Sequence, residues 1–260
     1  MTTFEPSAAA RFIAEAHAKR ATYENLSGAL APGSIGDAYA AQEALVAHWS
    51  PHWGPVAGLK IATTTKVMQA LMGIDHPCGG MIYEKRIHRA PAPLSMADYI
   101  HPMIECELAV RVNRPLPSQS RPYTAEDVRS AVGEVMAAFE LIEDRNAIYK
   151  ETDARTLIAD NAWNAGIVIG PAKSVPAELP LDGVTGRLTR NGTPAGEGKT
   201  DGPMDALAWI ANLAADRGRP LQAGMIVITG SVIATFEAHA GEHLAFELDS
   251  IGRTELSFTA

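Results

Sequence analysis

The chain has 260 residues, 47% apolar and 20% charged, the balance of a globular protein long enough for one large domain or a main domain with a smaller helical part. A net charge of −8 without any dense Lys/Arg cluster excludes a nucleic-acid backbone as partner. Cys78 and Cys106 are the only cysteines, and neither has zinc or redox-pair spacing, so a disulfide framework is excluded too.

The N-terminus, Met1-Thr2-Thr3-Phe4-Glu5, has no basic region leading into an apolar core, and no apolar run reaches bilayer length. The expected location is the cytoplasm, with no membrane partner. Ala9, Phe12, Ile13 and Ala16 then predict a helix over about Ser7 to Arg20, and a second follows Ser34 through Tyr39, Leu45 and Val46 to Trp49. These define a helical N-terminal part, residues 1–54, ahead of a strand-rich body, residues 55–260.

Within the body, Val56 to Ile61 reads as a short strand and Thr64 to Met72 as a short helix. Ile104-Glu105-Cys106-Glu107-Leu108-Ala109-Val110 alternates like a strand, with Glu105 and Glu107 on one face and Ile104, Cys106, Leu108 and Val110 on the other. Thr124-Ala125-Glu126-Asp127 resembles a capping box and predicts a helix to about Ala137, running into the apolar stretch Phe139-Glu140-Leu141-Ile142. Trp163 to Ile169 reads as a buried strand, and Asn191-Gly192 as a tight hairpin turn. Met204 to Ala215 is the last predicted helix. Strands are predicted from Met225, over Leu244 to Leu248 and over Thr254 to Phe258. No internal repeat or low-complexity segment occurs, so the fold class is α+β.

Two carboxylates side by side repel unless a positive charge separates them. Glu105 and Glu107 thus read either as the solvated face of a half-exposed strand or as part of a cation site. Glu140, opening another apolar stretch, is a third acid of the same ambiguity. Three carboxylates with no nearby His or Cys ligand suit Mg²⁺ or Mn²⁺ rather than zinc. Lys60, flanked by Leu59 and Ile61, reads as a snorkelling strand-end lysine or as a lysine in a dry cleft. Asp160-Asn161 reads as a turn or cap before the next strand.

Several segments, in order, resemble the hydratase/decarboxylase branch of the fumarylacetoacetate hydrolase superfamily. They are Gly58-Leu59-Lys60-Ile61-Ala62-Thr63-Thr64-Thr65, Gly73-Ile74-Asp75-His76-Pro77 with Gly80, and Ile104-Glu105-Cys106-Glu107-Leu108-Ala109. Phe139 to Arg145, Ile158-Ala159-Asp160-Asn161-Ala162, and Ala223 through Ser231 complete the set. The resemblance implies a mixed, rolled β-sandwich and Mg²⁺ or Mn²⁺ held by Glu105, Glu107 and Glu140. It places Lys60 and Asp160 in catalysis and Thr64, Asn161 and Ser231 at the substrate.

The implied substrate is a small 2-oxo or 2-hydroxydienoic acid from aromatic-compound breakdown. Hydration of a 2-hydroxypenta-2,4-dienoate is the leading expectation. A 4-oxalocrotonate-type decarboxylase, a C–C bond hydrolase and a non-catalytic scaffold subunit remain as alternatives. The resemblance further implies a homo-oligomer, with a partner hydratase or decarboxylase as a possible complex. Two departures stand out: Thr63 replaces a usually apolar residue, and Cys78 stands where several hydratases carry an acid. Arg111, Arg145 and Arg155 are candidates for holding a distal substrate carboxylate, or plain surface charges.

Overall fold

Helices α1 (Pro6–Ala18) and α2 (Ile35–Trp53) open the chain. Ser34 starts α2 by accepting a hydrogen bond from the Asp37 amide at 3.1 Å, relieving one of the orphan donors of the first turn. The faces carrying Ala9, Ile13, Ala41 and Leu45 bury against each other and against Tyr83 and Ala159, which ties the helices to the residues beyond 54. The computed structural model describes residues 4–175 and 179–260, so Met1 to Thr3, on which the reading of the N-terminus begins, lie outside the described residues.

The remaining elements are β1 (Val56–Ala62), α3 (Lys66–Leu71), β2 (Cys78–Tyr83), β3 (Ile87–Arg89), β4 (Ala92–Ser95) and β5 (Pro102–Val112). Next come α4 (Ala125–Arg129), β6 (Val132–Glu143), α5 (Ala154–Ala159), β7 (Asn164–Ile169) and β8 (Lys173–Ser174). The last are β9 (Thr185–Arg190), β10 (Thr193–Lys199), α6 (Pro203–Asp216), β11 (Ile226–Glu237), β12 (His243–Leu248) and β13 (Gly252–Thr259). An eight-stranded sheet has the order β2-β1-β11-β5-β6-β7-β3, with β8 also on β6, and a five-stranded sheet runs β10-β9-β12-β13-β4. Pairs β1–β11, β3–β7 and β4–β13 are parallel and the rest antiparallel, so both sheets are mixed.

The main core lies between the sheets. Ile104, Cys106, Leu108 and Val110 of β5 share one apolar cluster with Phe246 of β12 and Phe258 of β13, as the alternation of β5 predicts. Phe139 of β6 reaches Phe246 across the gap with ring centroids 6.1 Å apart. The Asn191-Gly192 turn joins β9 to β10 as expected, both residues adopting positive φ (50° and 78°) while Arg190 pairs Thr193.

One element departs from expectation. The capping box at Thr124 and Asp127 forms, but the helix ends at Arg129 and the chain from Val132 is strand rather than helix to Ala137. β6 pairs with β5 over nearly its full length and with β7 and β8 on its other side, and these ladder bonds outweigh the local preference of Ala137-Ala138 for helix.

Candidate metal centre

The face of β5 opposite the sandwich core carries Glu105 and Glu107. In the β5–β6 ladder Glu105 stands directly across from Glu140, and one carboxylate oxygen from each of the three acids lies within 4.8 Å of the others. Glu107 and Glu140 are 0% exposed, so the half-exposed-strand alternative fails for this face. Lys60 of β1, 2% exposed, brings its Nζ to 3.0 Å from Glu140 Oε1.

Neighbouring groups aim these side chains. Asn164, at the start of β7, donates to Glu140 Oε1 at 2.8 Å, and the Thr235 hydroxyl donates to Glu105 Oε1 at 2.6 Å. The Gly230 amide donates to Glu107 Oε2 at 2.6 Å. Gly230 sits where the β5–β11 register breaks between Ile228 and Ser231, at φ 121°, so a glycine bulge turns that amide toward the acid.

Burial pushes the Glu107 carboxyl well above its ordinary value, with the Glu105 and Glu140 charges adding to it. Burial likewise lifts Glu140 to about 7, although the Lys60 ammonium pulls the other way. Burial on its own would depress Lys60, but the surrounding carboxylates, Glu140 first, outweigh it and hold the ammonium above its usual value. With all three carboxyls ionised, one ammonium would leave two negative charges without compensation, which is why burial and mutual repulsion hold Glu107 and Glu140 up. Glu107 Oε1 and Glu140 Oε2 are moreover buried with no hydrogen-bond partner among the described residues. An all-oxygen donor set with buried, unpartnered oxygens and a twofold charge deficit fits a hard divalent cation.

A cavity of about 470 Å³ opens beside Glu105 and Lys60, and Thr64 and Ser231 also line it. Asp160 and Asn161 do not. Asp160 Oδ1 lies 2.7 Å from His17 Nε2 and its Oδ2 accepts from Arg145 at 2.6 Å, so its carboxylate is fully engaged behind the site. The Asn161 side chain accepts from the Met81 amide at 2.7 Å and donates to the Met81 carbonyl at 2.9 Å. Asn161, Ala162 and Trp163 adopt three successive left-handed conformations (φ 52°, 48°, 58°), a strained turn that delivers Trp163 to the cavity and Asn164 to Glu140.

The remaining candidates resolve similarly. Arg145 is 2% exposed and therefore no surface charge, and it is paired with Asp160. Arg111 meets Glu134 at 3.3 Å and Arg155 meets Asp153 at 2.9 Å, and none of the three arginines lines the cavity. Cys78 is fully buried, its thiol pushed up by burial, and neither it nor Asp75 lines the cavity. Thr63 takes φ 54°, rare for a β-branched residue, where the chain reverses after β1. Asn164, Thr235 and Gly230 escaped the sequence reading. Gly230 alone left a trace there, as a glycine inside an apolar strand pattern.

This fold and centre define a class: a mixed β-sandwich enzyme whose buried carboxylates can hold a cation. The chain belongs to the fumarylacetoacetate hydrolase C-terminal family, whose model matches residues 81–258. It is 30% identical over 210 residues to 2-hydroxyhexa-2,4-dienoate hydratase of Comamonas testosteroni, covering 78% of each chain. It is 31% identical over 234 residues to 2-oxo-hept-4-ene-1,7-dioate hydratase of Escherichia coli, covering 86% of this chain and 87% of the other. Among solved structures, 4-oxalocrotonate decarboxylase from Pseudomonas putida G7, complexed with magnesium and adipate, superposes with a TM-score of 0.89 at 23% identity, covering 99% of this chain and 100% of that one.

Proposed function

We propose that the chain is a Mg²⁺- or Mn²⁺-dependent lyase that hydrates a 2-hydroxypenta-2,4-dienoate-type acid, with Glu105, Glu107 and Glu140 as cation ligands. The observation that carries this reading is the pair of buried, unpartnered oxygens on Glu107 and Glu140 beside the Lys60 ammonium. The hydratases among its relatives at 30% identity or more support it.

A 2-oxo acid offers a carboxylate and a keto oxygen side by side, and its reactions build negative charge on that oxygen. A bound divalent cation supplies the positive charge that lowers the cost of that build-up. Lys60 is the cationic side chain at the head of the cavity, where it binds the substrate carboxylate and can hold a proton toward the 2-oxygen. Thr64 and Ser231 supply hydroxyls at the same wall for orienting the acid. Asp160 acts at a distance, by holding Arg145 and the turn that follows it. Among the described residues no histidine lines the cavity, so no imidazole stands there to activate a water for C–C bond hydrolysis. Assembly into a homo-oligomer goes with this reading and is checked by light scattering.

The test is ultraviolet-monitored consumption of 2-hydroxypenta-2,4-dienoate with and without Mg²⁺. Turnover should require the cation and vanish in Glu105→Gln and in Glu107→Gln while both variants stay folded. Full activity with both acids changed would sink the reading, and CO₂ release from the six-carbon dicarboxylate, with no water uptake by the five-carbon acid, would assign the decarboxylase branch.

A further inference from the structure

We propose that the substrate's distal end is uncharged and apolar: the site takes 2-hydroxydienoates carrying an alkyl or aryl tail and rejects those ending in a second carboxylate. This rests on the lyase reading above and narrows it to one class of acid. Such a choice is not decided by relationship, because the relatives include hydratases named for a monocarboxylate and for a dicarboxylate.

Charge is the first argument. Among the described residues, Lys60 and Glu105 are the only charged side chains lining the cavity, and both sit at the cation end. A second carboxylate would therefore find no cation of its own. Arg111, Arg145 and Arg155 are each paired with an acid outside the cavity. Lys66, on the neighbouring helix α3, lines not the cavity but an adjoining depression that shares Ile61, Thr64, Thr65 and Ser231 with it; there it lies with Asp201 and Asp205, and its Nζ is held by Gln69 at 2.9 Å and by the Asp75 carbonyl at 3.3 Å. An unpaired carboxylate taken out of water against apolar walls, near the Glu105 charge, is strongly disfavoured.

The walls are the second argument. Met68 and Met72 come from α3 and its end, Leu157 from α5, Ile142 from the end of β6 and Val232 from β11. Trp163 adds a flat aromatic surface, stacked on Tyr149 with ring centroids 5.3 Å apart and planes at 24°. The Tyr149 hydroxyl is already committed to Asp144 Oδ2 at 3.0 Å, which leaves it unavailable as the anchor of a distal anion. Methionines give such a wall the adaptability to close on tails of differing shape.

Volume is the third. At about 470 Å³ the cavity falls within the roughly 300–1,000 Å³ of sites for drug-sized ligands, more than a five-carbon acid fills. Each methylene added to the tail should therefore raise kcat/KM, by about fourfold where it is fully buried.

The experiment measures kcat/KM with Mg²⁺ for four 2-hydroxy-2,4-dienoates: the five-carbon parent, the methyl-terminated six-carbon acid, a phenyl-terminated acid and the six-carbon dicarboxylate. The methyl or phenyl acid should exceed the parent, and the dicarboxylate should lie about 100-fold or more below the best of them. A dicarboxylate equal to or better than the methyl-terminated acid overturns the inference and leaves the lyase reading standing. Turnover of none of the four removes the lyase reading, and the inference with it. Met68→Arg, at a half-buried position, should raise the dicarboxylate-to-monocarboxylate ratio at least about tenfold, while Met68→Leu should keep the native ratio. An unchanged ratio in a folded Met68→Arg protein would show that this wall does not face the tail.

Discussion

Glu107 and Glu140 hold their buried positions only because other groups share their charge. The Gly230 amide, the Asn164 amide and Lys60 each bind one oxygen, and one oxygen on each acid is left over. Asn164 fixes which oxygen of Glu140 is free, so Asn164→Ala should weaken cation affinity about 10–100-fold, read by titrating Mg²⁺ against turnover. Unaltered affinity would make Asn164 a mere start of β7. Glu107→Gln should behave oppositely in the cation-free protein. By replacing a carboxyl whose ionisation burial and its two acidic neighbours oppose, it should keep or raise the melting temperature, while the melting shift on adding Mg²⁺ disappears. Glu105 and Glu107 were legible in the sequence, since a two-residue period forces them onto one face. Asn164 and Thr235 were not, because their relation to the acids exists only once β7 lies beside β6 and β11 beside β5.

Elements are joined at this site by a few buried polar contacts. Asp160 follows α5, His17 belongs to α1 and Arg145 follows β6, so one carboxylate links three segments distant in sequence. Burial acts to raise Asp160, but His17 first and then Arg145 reverse this and hold the carboxyl below the ordinary carboxylate range. A carboxyl depressed in the folded state contributes stability that is present above its unfolded value, near about 3.9, and is lost as pH falls through the folded value. Asp160→Asn should therefore cost about 3–5 kcal/mol at neutral pH by stranding Arg145, and the melting-temperature gap from the native protein should narrow below about pH 4. A gap constant down to acid would mean the contact contributes no charge-dependent stability. Gly80 of β2 makes a second link. A Cβ there would lie 2.8 Å from the Asn161 carbonyl and 2.9 Å from Lys60 Cγ, so Gly80→Ala should displace the lysine. The expected losses are about 1–3 kcal/mol of stability and about 100-fold in turnover, measured by melting and by initial rates. The α4–β6 segment shows the limit of local reasoning, since its capping box was visible in sequence but its conversion to strand depended on three partner strands.

At the scale of the whole molecule, the sandwich keeps the centre apart from the core. One face of the eight-stranded sheet packs on the five-stranded sheet, and the other carries Glu107, Glu140 and Lys60 buried, with Glu105 half-buried where the cavity opens. A cation bound only by the folded state should stabilise the entire chain, by about 2.7 kcal/mol when its concentration is 100 times its dissociation constant. Calorimetry should show the melting temperature rising with Mg²⁺ or Mn²⁺ and returning with a chelator, and an indifferent melting temperature would argue that the carboxylates bind no cation. Among the described residues no helix is long and apolar enough to cross a membrane. The sequence by itself determined most of the elements, the shared face of Glu105 and Glu107, and, through ordered motifs, the family. Periodicity and motif order are properties of neighbouring residues, and neighbours are what a sequence records. Only the tertiary structure decided that most of the acids' face is buried, that Asp160 and Asn161 stand behind the cavity, and that no arginine among the described residues lines it. Those facts depend on which strands and helices pack together, and burial and charge compensation arise only from that packing.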